Sequence, residues 1–241
     1  ELALRALNIG PGDEVITVSH TAVATVAAIE AAGAIPVLVD VEPNFYTLNP
    51  IQLKEVITSR TKSLIAVHLY GQSADMDAIT SFCHQHNIFL IEDASQAHGA
   101  KYKGKRLGSI GDIGCFSCYP TKNLGAIGDA GCLSFYPTKN LGAYGDGGCV
   151  VTGNPEAAEN LRAIRNYGYE QRDYSVRLGL NSRLAPMQAA ILRTKLPQVN
   201  EWNRQRSAIA LRYFEEFRAE NIGMPLTPEY IQNCNHLFPL L

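Results

Sequence analysis

Short apolar segments of strand character alternate with segments of helical periodicity along most of the chain. The strand-like segments are residues 14–18, 35–39, 63–68, 88–91 and 149–152, and the helix-like segments are residues 21–32, 53–58, 76–86, 155–166, 185–196 and 198–220. Such alternation is typical of a parallel sheet with helices packed on its faces. The sequence therefore predicts an α/β fold with a mainly parallel sheet sandwiched by helices.

Composition excludes some classes of partner. The chain has 241 residues, of which 46% are hydrophobic, and this is ample for a buried core. A formal net charge of -2 gives no basic surplus for a phosphate backbone, so we expect no nucleic-acid partner. No apolar run approaches the roughly 20 residues that span a bilayer, and residues 1–10 lack the layout of a signal peptide. We therefore expect a cytoplasmic protein with no membrane partner.

A repeated segment occupies the middle of the chain. Residues 111–127 read GDIGCFSCYPTKNLGAI, residues 128–144 read GDAGCLSFYPTKNLGAY, and a third start, GDGGCVV, follows at Gly145. Units of this length cannot stack a core of their own. The repeat therefore indicates a local duplication within a strand-turn-strand element, with residues 111–127 as copy one and residues 128–144 as copy two.

The cysteines do not point to a metal site. Cys115 and Cys118 form a CxxC pair, but no second such pair or histidine pair accompanies it. Cys115, Cys132 and Cys149 recur at equivalent places in the repeat, each after Gly-Asp-x-Gly, so we interpret them as small strand residues. We predict no metal.

Two carboxylates follow the strand-like segment 88–91, in the sequence Glu92-Asp93-Ala94-Ser95-Gln96-Ala97-His98-Gly99. A carboxylate at the end of a strand can be structural, because it caps the next segment or pairs with a lysine. It can also hold the ring nitrogen of a cofactor protonated, which makes that ring an electron sink. The residues alone leave both interpretations open.

A lysine lies in the same context in both copies of the repeat. The pattern Ser-x-Tyr-Pro-Thr-Lys-Asn-Leu-Gly occurs as Ser117–Gly125 and as Ser134–Gly142. A lysine in a tight turn, flanked by hydroxyls and glycines, suits an amine that forms a Schiff base beside a phosphate. A surface lysine in a hairpin is the alternative.

Taken in order, these segments resemble the DegT/DnrJ/EryC1/StrS aminotransferases, which are fold type I pyridoxal-phosphate enzymes. The resemblance covers nearly the whole chain, through GPGDEVI, SHTAVATVAAIEAAGAIPVLVDVE, VHLYGQSADMD, IEDASQAHGA, SFYPTKNLGAYGDGG, LRAIRNYG and LNSRLAPMQAAIL. It implies a cofactor-binding large domain at residues 1–197, with its amino-terminal part missing. Residues 198–241 would then be a linking helix and the start of a truncated carboxyl-terminal small domain.

The resemblance also implies roles for individual residues around pyridoxal phosphate. Asp93 would bond the pyridine nitrogen, Gln96 would lie near the ring hydroxyl, and Ser134 or Ser117 would touch the phosphate. Either Lys139 or Lys122 would attach the cofactor covalently.

Two further matched positions concern the neighbouring subunit and the face of the ring. Asn181, beside Arg183, matches the family asparagine that reaches the phosphate of the neighbouring subunit, so a homodimer is implied. Ala22 stands where many members carry an aromatic residue. His20 is therefore a candidate for the group that stacks on the ring.

The two copies offer two lysines for one cofactor. Copy one keeps the normal distance from Asp93 to Lys122, whereas copy two keeps the Ser-Phe before its turn and the Gly-Asp-Gly-Gly after it. We favour Lys139, with copy one as an insertion that only lengthens the loop after Gly104, because long loop insertions cost little closure entropy.

The function implied is transfer of an amino group, usually from glutamate, to a keto sugar linked to a nucleotide. The freed lysine would carry a proton between carbons as general base and general acid. The chain starts after the family's phosphate loop and stops at Asn235-His236-Leu237-Phe238, so we expect a fragment that is inactive as it stands. The alternative is a non-catalytic or regulatory member of the family, or an inactive gene fragment.

Overall fold

The computed structural model describes residues 1–117, 148–171, 174–220 and 222–240. The helices are α1 Leu2–Ala6, α2 Val23–Ala31, α3 Leu53–Val56, α4 Met76–His86, α5 Pro155–Ile164, α6 Pro186–Lys195 and α7 Val199–Ala219. The strands are β1 Glu14–Val18, β2 Ile35–Val39, β3 Thr61–Val67, β4 Phe89–Asp93, β5 Lys101–Tyr102, β6 Lys105–Arg106, β7 Ile113–Ser117, β8 Gly148–Val151, β9 Tyr169–Gln171, β10 Tyr174–Ser175 and β11 Ile231–Gln232.

A six-stranded sheet with the order β2-β1-β3-β4-β7-β8 forms the centre of the fold. The first five strands of this order pair in parallel, and β8 pairs with β7 in the antiparallel direction. This arrangement confirms the predicted α/β class with a mainly parallel sheet. The strands predicted at residues 14–18 and 35–39 have the observed bounds of β1 and β2.

The central strands are buried because their apolar residues face neighbours on both sides of the sheet. All five residues of β1 are buried, as are Leu64 and Ile65 of the neighbouring β3 and Ile91 of β4 beyond it. Each such side chain contributes roughly 1.5–3 kcal/mol by leaving water. Parallel strands with this continuous apolar character are expected to lie in the interior of a sheet.

Local signals at both ends of α4 explain how the chain enters β4. The Asp75 carboxylate accepts a hydrogen bond from the backbone N–H of Ala78, 3.3 Å away, and so caps the start of the helix. Asn87 ends it in the left-handed region, at φ 51°, a conformation that asparagine tolerates better than most residues. The strand that follows extends to Asp93, so the predicted end at residue 91 is two residues short.

Copy one of the repeat begins as a strand of the central sheet. Its residues Ile113 and Cys115 pair with Ile91 and Asp93 of β4, and Ile113 is 1% exposed. The prediction that copy one only lengthens the loop after Gly104 is therefore wrong for its first residues, because they supply β7. Ser117, the last residue of β7, pairs with Gly148, the first residue of β8, and residues 118–147 form the sequence interval between them. Both Lys122 and Lys139, together with Ser134, lie in this interval and outside the described residues.

The last part of the chain packs back onto the region around β4. We use the name C-terminal segment for residues 222–240, which contain β11. This strand joins β5 and β6 in a three-stranded sheet, and Asn203 of α7 donates a hydrogen bond to the carbonyl of His98, 2.8 Å away. These contacts join residues on the two sides of the predicted domain boundary at residue 197. The division of the chain into two domains stays a prediction. Within the described ranges, no helix is long and apolar enough to cross a membrane.

Candidate active site

The carboxyl ends of the parallel strands bring the predicted polar residues to one edge of the sheet. His20 follows β1, Asp93 ends β4, and Ser117 ends β7. Asp93 lies opposite Cys115, two residues before the end of β7. In open α/β sheets this edge is where ligands bind. The sheet topology therefore places the carboxyl-terminal part of β7 beside Asp93.

The Asp93 carboxylate is half-buried, and its hydrogen-bond donors among the described residues are neutral. One oxygen accepts the hydroxyl of Thr25 at 3.0 Å, and the other accepts the backbone N–H of Ser95 at 3.0 Å. Thr25 is itself bonded to the hydroxyl of Thr21 at 3.0 Å. Within the described part of the chain, no lysine or arginine pairs with Asp93. A carboxylate in this state suits a cationic N–H group from a ligand.

Glu92 has a different environment, although it is the neighbour of Asp93 in the same strand. Its side chain is fully buried and accepts hydrogen bonds from Nε2 of His68 at 3.0 Å and from three backbone N–H groups. Those groups belong to Gly108 at 2.7 Å, Ile110 at 2.6 Å and Gly111 at 2.7 Å. Glu92 is therefore the structural carboxylate of the pair, and it holds the turn that leads into β7.

The hydrogen bonds to Glu92 determine its charge. Burial by itself would raise the pKa of this carboxyl, but the bonds from His68 and from the backbone outweigh burial and lower the pKa from its ordinary value. The other ring nitrogen of His68, Nδ1, accepts the backbone N–H of Ala74 at 3.2 Å. Because Nδ1 acts as an acceptor, the ring proton must lie on Nε2, which donates to Glu92.

Gln96 and His20 are both bonded to Tyr70. The side-chain oxygen of Gln96 accepts the backbone N–H of Tyr70 at 2.7 Å, and Nε2 of His20 lies 2.9 Å from the hydroxyl of Tyr70. Because the amide oxygen of Gln96 is used in this way, its NH₂ group remains as a donor. Ala22 is the N-cap of α2 and carries no ring, whereas His20 is exposed.

In the described part of the chain, the contacts of Asn181 are with other residues than these. It is exposed, it forms an isolated bridge with Asn166, and its side-chain oxygen accepts Nε of Arg183 at 3.2 Å. No hydrogen bond in the described ranges joins Asn181 to Asp93. Its predicted role toward a neighbouring subunit stays a prediction.

Several residues of this site were not identified by sequence analysis. Thr25 and Tyr70 lie in segments that carry the family resemblance, but nothing in their spacing indicated a contact with Asp93 or Gln96. For the predicted absence of metal, we note only that the described ranges hold no group of three or more histidine, cysteine or acidic residues placed to bind an ion.

The fold of this chain is similar to those of solved aminotransferases. DesV of S. venezuelae, in complex with a ketimine intermediate, matches with a TM-score of 0.88 and 45% identity, over 99% of this chain and 60% of that one. NtdA of Bacillus subtilis, with bound cofactor PMP, matches with a TM-score of 0.84 and 31% identity, over 99% of this chain and 51% of that one. These matches confirm the predicted fold class, that of the fold type I aminotransferases.

The chain belongs to the DegT/DnrJ/EryC1/StrS aminotransferase family, whose sequence profile matches residues 1–133 and 122–241. The two matches overlap inside the repeated segment. A Streptomyces venezuelae relative, dTDP-3-amino-3,4,6-trideoxy-alpha-D-glucose transaminase, is 46% identical over 99% of this chain and 59% of its own length. A Geobacillus stearothermophilus relative named pleiotropic regulatory protein is 43% identical over 98% of this chain and 59% of its own length. The chain thus spans about three fifths of the length of these relatives.

Proposed function

We propose that this chain is the cofactor-binding part of a pyridoxal-phosphate-dependent aminotransferase that acts on a nucleotide-linked keto sugar. The Asp93 carboxylate supports this proposal most strongly, because it is held by two neutral donors and has no cation beside it in the described part of the chain. A protonated pyridine nitrogen would supply the missing charge and a third hydrogen bond. The residues present therefore fit this cofactor.

Each residue of the site would have a separate task. Bound pyridoxal phosphate withdraws electrons from the carbon that carries the amine and makes its proton acidic. Asp93 would keep the ring nitrogen protonated, and the free NH₂ group of Gln96 would donate to the ring oxygen. Ser117 or Ser134 would donate to the phosphate. Lys139 or Lys122 would attach the cofactor and then move a proton as general base and general acid.

The relatives support the substrate class. The Streptomyces venezuelae relative is named as a transaminase of a dTDP-linked sugar. Transfer of an amino group requires an amine donor, for which we propose glutamate. We also propose that the protein is cytoplasmic and forms a homodimer. The exposed position of Asn181 leaves that side chain accessible to a second subunit.

A regulatory role is the second candidate, since the Geobacillus relative is named as a regulatory protein at nearly the same identity. Cofactor chemistry separates the two candidates, because a purely regulatory chain has no need for a reactive lysine. The presence of lysine in both copies of the repeat favours the enzyme.

The proposal is tested by trapping the lysine. The purified chain is incubated with pyridoxal phosphate and reduced with borohydride, and the labelled peptide is mapped by mass. Label on Lys139 would support copy two as the source of the lysine, and label on Lys122 would support copy one, which supplies β7. Asp93→Asn should lower cofactor retention, whereas the exposed control Asp40→Asn should not. Absence of label on both lysines would overturn the proposed function.

A further inference from the structure

Tyr70 has a backbone conformation that L-amino acids with a side chain rarely adopt. Its φ is 60° and its ψ is 4°, within the short turn Leu69–Gly71 after β3. A left-handed conformation is strained for residues other than glycine, and it persists only where the surroundings hold it. Tyrosine also lacks the short polar side chain that eases this conformation in asparagine or aspartate.

The surroundings of Tyr70 use all of its polar groups. Its N–H donates to the side chain of Gln96 at 2.7 Å, its hydroxyl lies 2.9 Å from Nε2 of His20, and its carbonyl accepts the N–H of His236 at 3.1 Å. The rings of His20 and Tyr70 lie 5.9 Å apart at 58°. Tyr70 therefore contacts two predicted cofactor-binding residues, His20 and Gln96, whose arrangement the sequence alone did not define.

The C-terminal segment fixes the turn from the other side. Gln72 accepts hydrogen bonds from the hydroxyl of Thr227 at 2.7 Å and from the amide of Asn233 at 3.1 Å. The thiol of Cys234 donates to the carbonyl of Gln96 at 3.2 Å. Because these contacts come from a distant part of the chain, they can hold Tyr70 in its strained conformation.

A series of neighbouring residues and hydrogen bonds also links His20 to Asp93. Thr21 follows His20 directly, its hydroxyl bonds Thr25 at 3.0 Å, and Thr25 donates to Asp93 at 3.0 Å. Movement of His20 is therefore limited on one side by the start of α2 and on the other by the hydroxyl of Tyr70.

We propose that Tyr70 is a positioning residue of the cofactor pocket, whose hydroxyl fixes the imidazole of His20 for contact with the cofactor ring while its backbone N–H orients Gln96. This inference rests on the proposed function. It goes beyond that function because it concerns the ring that would contact the cofactor. This chain has Ala22 where many family members carry an aromatic residue, and His20, in the loop before α2, would present its imidazole instead. Tyr70 itself need not touch the cofactor.

The test uses Tyr70→Phe, which removes one hydroxyl and leaves both backbone bonds in place. Without cofactor, the ring nitrogen resonances of the chain's six histidines are recorded by NMR, and His20 is assigned by its loss in His20→Ala. Tyr70→Phe should shift the Nε2 resonance of His20 and leave the other histidines unchanged. The matched control is Tyr102→Phe, which removes a hydroxyl bonded to Asp75 at 3.1 Å and should leave His20 unchanged.

The second readout is the dissociation constant for pyridoxal phosphate. Tyr70→Phe should weaken binding roughly two- to tenfold, the range that one hydrogen bond supplies, and the effect should disappear in the His20→Ala background. An unshifted His20 resonance, or an equal loss of affinity with and without His20, would overturn the inference while the proposed function stands. A wild-type chain that binds no cofactor would overturn both.

Discussion

Replacement of Glu92 by glutamine keeps the shape of the side chain and removes its charge. Each carboxylate oxygen of Glu92 accepts two bonds: one takes Ile110 and Gly111, and the other takes His68 and Gly108. A glutamine amide would direct its NH₂ group at two donors in either orientation. His68 cannot relieve this conflict by moving its proton, because its Nδ1 already accepts a backbone N–H.

The expected loss follows from these bonds. Two hydrogen bonds to a charged group contribute roughly 1.5–3 kcal/mol each, so Glu92→Gln should lower the free energy of unfolding by about 3 to 6 kcal/mol. This is a large share of the roughly 5–15 kcal/mol that stabilises a typical domain. Urea unfolding at pH 7, followed by circular dichroism, measures the change. The control is Glu55→Gln, an exposed carboxylate of α3, which should change stability by less than about 0.5 kcal/mol.

Acid should reduce the difference between the wild type and Glu92→Gln. Because the folded-state pKa of Glu92 is lowered, its charge stabilises the fold above the ordinary carboxyl pKa of about 4.3, and this contribution is lost as the pH falls through the folded value. Equal stability of Glu92→Gln and Glu55→Gln at pH 7, or a difference that grows on acidification, would refute this expectation.

Two more substitutions test contacts around the site. Gly71→Ala should destabilise the fold by about 1–3 kcal/mol in urea unfolding, since φ is +92° and the new Cβ would lie 2.7 Å from Sγ of Cys234. The control is Gly12→Ala, at φ +91° with open space around it, where the backbone conformation alone should lower stability by about 1 kcal/mol. Equal losses of stability at the two glycines would show that the contact with Cys234 adds nothing. Thr25→Val should weaken pyridoxal phosphate binding several-fold in an equilibrium titration, because it removes the 3.0 Å bond to Asp93. An unchanged dissociation constant would show that this bond does not position the carboxylate.

Much of the fold is predictable because its signals are local. The bounds of β1, β2 and α4 follow from short apolar runs, helical periodicity and the turn residues beside them. The strands β5, β6 and β11 have two residues each, which is too short for any periodicity to be detected. β5 and β6 pair with each other across residues 103–104, and β11 joins them from a distant part of the chain.

The same distinction applies to the site. The resemblance identified Asp93, Gln96 and His20, but the contacts that arrange them join residues far apart in the sequence. The interpretation of strand-end carboxylates as structural or functional could not be resolved for Glu92 and Asp93 without the turn that follows. Tyr70, in its left-handed conformation, accepts a hydrogen bond from His236 of the C-terminal segment, which is distant in the sequence. The choice between Lys122 and Lys139 lies outside the described residues.

The central proposal is that this chain holds pyridoxal phosphate at the carboxyl edge of its sheet through a lysine of the repeated segment. The most direct measurement is the absorbance spectrum of the chain after incubation with pyridoxal phosphate and removal of free cofactor, because a Schiff base to lysine colours the protein. We predict Schiff-base absorbance in the wild type and its loss in the Lys122→Ala and Lys139→Ala double variant. A wild-type chain that retains no such absorbance, or a double variant that keeps it, would contradict the proposal.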